Sequence, residues 1–118
     1  MKEGAAAMLQ IDIEQRADTA IVRIAGDADM ASSARLRQAL LDLLENCSQR
    51  RVIVSMEKAC YIDSSAVASL VEGLQLAARR KIRFGLAGLN DGPLQVLRIT
   101  RLLDVFEVHD SEEAALNA

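Results

Sequence analysis

The strongest constraint in this chain is a change of period near its middle. Residues 51–56, Arg51-Val52-Ile53-Val54-Ser55-Met56, are a nearly unbroken apolar run, the pattern of a buried strand. A little further on, Val67, Leu70, Val71 and Leu74 recur at i, i+3, i+4 and i+7, the spacing of one helix face. Residues 82–87 return to an apolar run that reads as another strand. Strand, helix and strand in that order form a crossover, which is parallel and right-handed. The chain is therefore built around one mixed sheet with helices packed on a face.

The flanking sequence extends this pattern. Leu9, Ile11 and Ile13 alternate with Gln10, Asp12 and Glu14, as in a half-buried strand. Ala17-Asp18 supplies a turn, and residues 19–25 form a second strand, so the pair reads as a hairpin that Gly26-Asp27-Ala28-Asp29 ends. Ser32 or Ser33 is placed to cap a helix running to about Asn46. Leu36, Leu40, Leu43 and Leu44 form its apolar stripe, and Arg35, Arg37, Asp42 and Glu45 face water. The helix after Asp63 runs to about Arg80, with Arg79, Arg80 and Lys81 where positive charge suits the dipole, so this basic run needs no anionic partner. Pro93 opens a short helix whose Leu94, Val96, Leu97 and Ile99 are expected inside, with Gln95, Arg98 and Arg101 on the wet side. A last strand over 105–108 and a small helix capped by Ser111 complete a β-β-α-β-α-β-α-β-α order. Residues 1–7 read as a frayed start. The 118 residues correspond to one domain.

Composition narrows the function. Net charge is −3 and the aromatic residues are Tyr61, Phe84 and Phe106, which disfavours a basic nucleic-acid face and base-stacking platforms. A single histidine, His109, excludes a multi-histidine metal site and leaves a serine nucleophile without an evident base. Gly85, Gly88 and Gly92 do not have the spacing of a phosphate-binding loop. Neither a cofactor, a metal nor an enzymatic activity is expected. Cys47 and Cys60 read as buried free thiols in a reducing compartment. No segment approaches the roughly 20 apolar residues of a membrane span, so the expectation is a cytoplasmic protein without membrane insertion. Oligomeric state is not legible.

Asp63-Ser64-Ser65 lies at the junction of the central strand and its helix, with Asp63 at the N-cap and both serines in the first turn. Two readings stay open for it. The side-chain oxygens satisfy orphan N–H groups, as at many helix starts. Alternatively, a serine there carries a phosphate, because a helix N-terminus favours an anion.

The element order and three motifs resemble the STAS domain, the fold of bacterial anti-sigma factor antagonists, over nearly the whole chain. Tyr61-Ile62-Asp63-Ser64-Ser65 is similar to the family's Asp-Ser-Ser/Thr-Gly switch motif. Gly26-Asp27-Ala28-Asp29 resembles its Gly-Glu-Leu-Asp turn, and Thr100, Leu102 and Phe106 resemble its Thr-Gly-Leu-Asp-x-x-Phe segment. Ala66 stands at the family's Gly in the first motif, and Arg101 and Leu103 at its Gly and Asp in the last. The resemblance implies an α/β STAS fold, a mixed four- to five-stranded sheet with helices mainly on one face. It also implies a regulatory protein whose unphosphorylated form binds an anti-sigma factor, itself a serine kinase of the histidine-kinase-like ATPase fold, and so frees a sigma factor. Ser64 is then the phosphorylated residue, reset by a serine phosphatase. Asp63, Ser64, Ser65, Ala66, Val67, Asp27 and Asp29 are the expected partner-binding residues, and the extra methyl of Ala66 falls where a kinase would approach. The family also includes small subunits of lipid-trafficking ABC transporters that dock on the permease or ATPase, the alternative role implied here.

Overall fold

The computed structural model describes residues 8–118, and the frayed start expected for residues 1–7 lies outside them. Strands β1 (Gln10–Arg16) and β2 (Thr19–Ala28) form an antiparallel hairpin. Helix α1 (Met30–Asn46) leads to β3 (Arg51–Ile62), α2 (Ser64–Arg79) to β4 (Arg83–Ala87), and α3 (Asp91–Ile99) to β5 (Glu107–His109). A short 3-10 helix, Leu103–Val105, precedes β5, and α4 (Glu112–Leu116) closes the chain. The sheet order is β1-β2-β3-β4-β5, with every pairing after the hairpin parallel.

Alternation along the strands sorts the two faces. Val22 and Ile24 of β2 and Val52, Val54 and Met56 of β3 pack with Leu36, Leu40 and Leu44 of α1 and Leu70 of α2. Each of these large side chains is fully buried, which stabilises by about 1.5–3 kcal/mol apiece. Leu97 of α3 joins the same cluster, so α1, α2 and α3 share one face. Ile53 and Ala87 point the other way, onto Ala115 of α4.

The central strand is longer than its apolar run. β2 and β3 stay paired to Ala28 and Ile62, but β3 carries one extra residue between Ser55 and Lys58 and another, Cys60, between Ala59 and Tyr61. These bulges break the alternation that marks a strand in sequence. They also leave Cys60 and Tyr61 both facing outward, so Cys60 is exposed rather than buried, and Cys47 is half-buried. Gly26, at φ 92, lets β2 follow the distortion, so the Gly26-Asp27-Ala28 segment continues the strand instead of ending it. β4 pairs with β3 only as far as Ser55, and beyond it the Asn90 amide donates to the carbonyls of Glu57 and Ala59 at 3.0 Å each.

Three further expectations are corrected. Helix α1 starts at Met30 under Asp29, not under Ser32 or Ser33, because Asp29 is the residue with extended backbone. The last strand covers 107–109, since residues 103–105 coil into a 3-10 turn that seats Phe106 in the core. Helix α3 is too short to bury a broad stripe: Pro93 and Leu97 are inside, while Ile99 is 72% exposed.

Candidate functional site

β2 and β3 end side by side, Ala28 against Ile62, and each is followed at once by an aspartate that starts a helix. Asp29 caps α1. Its carboxylate accepts from the Ser32 N–H at 3.1 Å and from the Ser32 hydroxyl, while Ser32 Oγ accepts from the Asp29 N–H at 3.0 Å. This is a capping box with serine in the place of the usual Glu or Gln.

Asp63 caps α2 and reaches further. Its Oδ1 accepts from the N–H groups of Ser65 at 2.9 Å and Ala66 at 3.1 Å, and from the Ser65 hydroxyl. The backbone N–H of Met30, at the start of α1, also helps to hold this carboxylate ionised. The start of α1 thus lies beside the α2 cap, and the Asp63 N–H donates to the Ala28 carbonyl at 3.1 Å. Partial burial pushes the carboxyl up, but the donors from Ser65, Ala66 and Met30 outweigh it and hold its pKa below the ordinary value. Behind the site, Ser69 Oγ lies 3.2 Å from both the Ser33 and the Ser65 carbonyls and joins the two helices again.

Ser64 differs from its neighbours. It is the first residue of α2, it is exposed, and its hydroxyl makes no hydrogen bond among the described residues. Capping therefore accounts for Asp63 and Ser65 and leaves Ser64 free for chemistry. Its surroundings are acidic and partly apolar: Asp27 and Asp29 are half-exposed on the adjacent strand end, Met30 is 78% exposed and Tyr61 is 49% exposed. Asp27 sits directly across from Tyr61 in the sheet, and with Asp29, Met8 and Arg35 it borders a shallow depression of about 340 Å³.

The expected partner-binding residues do not all reach the surface. Asp27, Asp29, Asp63, Ser64 and Ser65 gather at one end of the sheet with at least partial exposure. Ala66 and Val67 are buried in the core beneath them. The methyl group of Ala66 consequently points inward, and the approach to Ser64 is not narrowed by it. Met30 and Tyr61 were absent from the expected set. Met30 lies outside the leucine stripe of α1, which is the one sequence sign that its side chain is not core. His109 is far from this arrangement. Its register partner is Ala87, which pairs with β4's neighbour at Ser55, and its Nε2 lies 2.7 Å from Glu107.

Comparison with known proteins accords with this geometry. A sequence model of the STAS domain matches residues 10–115. The anti-sigma-B factor antagonist of Bacillus subtilis is 23% identical over 108 residues, covering 92% of this chain and 97% of that protein. A crystal structure of an anti-sigma factor antagonist from Mycobacterium paratuberculosis superposes with a TM-score of 0.86 at 16% identity, covering 96% of this chain and 97% of the other. The antagonist SpoIIAA, solved in its unphosphorylated form, superposes with a TM-score of 0.77 at 18% identity over 93% of this chain and 94% of its own. The five-stranded mixed sheet with its four helices is the STAS fold, and the chain belongs to the STAS domain family.

Proposed function

We propose that this chain is an anti-sigma factor antagonist switched by phosphorylation of Ser64. In this reading the unphosphorylated form binds an anti-sigma factor that is also a serine kinase, through Asp27, Asp29, Asp63, Ser64 and Ser65 with Met30 and Tyr61 beside them, and binding frees a sigma factor. The kinase then transfers the γ-phosphoryl group of ATP. Ser64 Oγ attacks phosphorus, the bond to the β–γ bridging oxygen breaks, ADP leaves, and the hydroxyl proton passes to a base on the kinase. A serine phosphatase reverses the step.

The observation that carries this reading is the unoccupied Ser64 hydroxyl between two occupied capping side chains. Phosphorylation adds about −1.5 to −2 charge next to the ionised Asp63 on an already acidic end of the molecule. No rearrangement is needed, because the new charge sits outside the hydrogen bonds that start α2. A partner surface matched to the uncharged serine loses affinity directly.

The test is affinity capture with wild type and Ser64→Asp as parallel baits, followed by titration of the partner recovered. Recovery of a serine kinase or anti-sigma factor on wild type, with binding to Ser64→Asp weaker by about 5- to 150-fold, supports the switch. Equal affinity of both baits for that partner would falsify it, as would capture of a transporter permease or ATPase by both.

A further inference from the structure

The end of the molecule opposite Ser64 has a chemistry of its own. Each crossover helix runs back against the parallel strands, so α2 and α3 finish where β4 and β5 begin. Both finish in basic residues, Arg79, Arg80 and Lys81 for α2, Arg98 and Arg101 for α3. Arg50 joins them from the start of β3, where its carbonyl accepts from the Arg83 N–H at 2.9 Å. Arg51 and Arg83 are themselves occupied by Glu107. The other six cations, Arg50, Arg79, Arg80, Lys81, Arg98 and Arg101, are exposed and form no side-chain hydrogen bond or ion pair among the described residues. Two exposed aliphatics lie in the same region. Ile99 ends α3, and Val105, 51% exposed, falls level with Arg83 because Glu107 pairs with Gly85. Asp18, Glu45 and Asp104 are the exposed carboxylates that border it.

Helix dipoles account for the charge of Arg79, Arg80 and Lys81 at the end of α2 and of Arg98 in the last turn of α3, which taken alone need no partner. They do not account for Arg50, and they do not explain the backbone at Lys81 and Arg101. These two residues follow α2 and α3 with φ of 59 and 62, the left-handed conformation that glycine adopts at lower cost. Long cations held in that conformation at both helix ends, on one pole, are strain in search of a use.

We propose that this pole docks on the anionic face of a lipid bilayer. Dispersed cations suit headgroup phosphates, and Ile99 and Val105 suit the apolar boundary just below them. The pole has no aromatic side chain on its surface, since Phe84 and Phe106 are buried and Tyr61 is at the other end. It therefore offers neither the stacking platform of a single-stranded nucleic-acid site nor the Tyr or Trp anchors of a tight protein interface. No helix of the described residues is long and apolar enough to cross a membrane, so the attachment is at the surface. The twelve residues of β3 span roughly 35 Å, which leaves Ser64 facing away from the lipid.

Sedimentation of the full chain with phosphatidylcholine vesicles, with and without phosphatidylglycerol, tests the proposal. Wild type is expected to sediment with the anionic vesicles only, and to be released by salt. Each surface cation contributes about five-fold, so Lys81→Gly/Arg101→Gly lowers partitioning by about 25-fold. This variant is expected to relieve backbone strain, and a thermal melt run beside the sedimentation separates loss of binding from loss of fold. Ile99→Ser lowers partitioning by a smaller factor. Ser64→Asp partitions like wild type, which keeps this result separate from the fate of the phosphorylation reading. Sedimentation that is the same without phosphatidylglycerol, absent with it, or unchanged in the double glycine variant overturns the proposal.

Discussion

The two ends of this molecule begin and end the same helices, yet they solve opposite problems. At the Ser64 end, aspartates with extended backbone cap α1 and α2, and serines complete the caps without any left-handed residue. At the other end, α2 and α3 are terminated by left-handed Lys81 and Arg101, and cations stand free. The first arrangement is locally relaxed and holds one hydroxyl in reserve. The second retains side chains that cost stability. The comparison separates residues placed for folding from residues placed in spite of it.

The largest effect is expected from Asp63→Ala. It removes the acceptor shared by the N–H groups of Ser65 and Ala66 and by the Ser65 hydroxyl, and loss of a strong cap costs up to about 2 kcal/mol. Urea unfolding checks this. A loss near that of a weak cap, about 0.5 kcal/mol, would show that α2 keeps its start without this carboxylate.

Acid acts on both ends. Arg83 lowers the Glu107 carboxyl, partial burial opposes it, and His109 and Arg51 help bring it to about 2 from 4.5. Asp63 is also held below its usual value. A lowered folded-state pKa gives stability that is complete above the unfolded value and is lost as pH falls through the folded one. Stability should therefore fall as pH drops from about 4.5 toward 2. Glu107→Gln should remove on the order of 1–2 kcal/mol of that dependence, after allowance for solvent screening at a partly exposed site. Denaturant titrations of both proteins across this range provide the measurement, and parallel curves would count against the Glu107 cluster.

The smallest expected effects favour the variants. Lys81→Gly and Arg101→Gly should each stabilise by about 0.5–1 kcal/mol, because glycine enters the left-handed region without a Cβ penalty. Thermal melts of the single variants check this. A drop in Tm for either would mean that the long side chain makes packing contacts worth more than the strain.

Much of this was legible in sequence wherever the cause was local. The apolar run of residues 51–56, the helix periodicity after Asp63 and the Ser111 cap each depend on a few neighbouring residues, and the structure contains all three. Residues 57–62 read as something other than strand because two bulges reset their alternation, and only pairing with β2 keeps them extended. The start of α1 lies earlier than Ser32 or Ser33 implies, because Asp29, which reads in sequence as part of the segment ending the hairpin, is the residue whose extended backbone makes it the cap. At the site, Asp63 and Ser64 could be found together since they are adjacent. The placing of Asp63 beside the start of α1 could not, because parallel strands bring those residues together from distant parts of the chain. Burial of Ala66 and Val67 follows from the way α2 rolls onto the sheet, which periodicity alone does not fix.

The amide of Asn90 has a meaning beyond local fit. β3 continues past the end of β4, and its free carbonyls at Glu57 and Ala59 are a row of acceptors of the kind that recruits an extended segment from a neighbouring chain. Asn90 fills both positions from within the same molecule and stands in for a missing strand. Replacing that donor with an acceptor, as in Asn90→Asp, should open the edge to trespass by other polypeptides, with light scattering of concentrated solutions as the readout. A side chain of this size would then be the guard that keeps this edge closed to other chains.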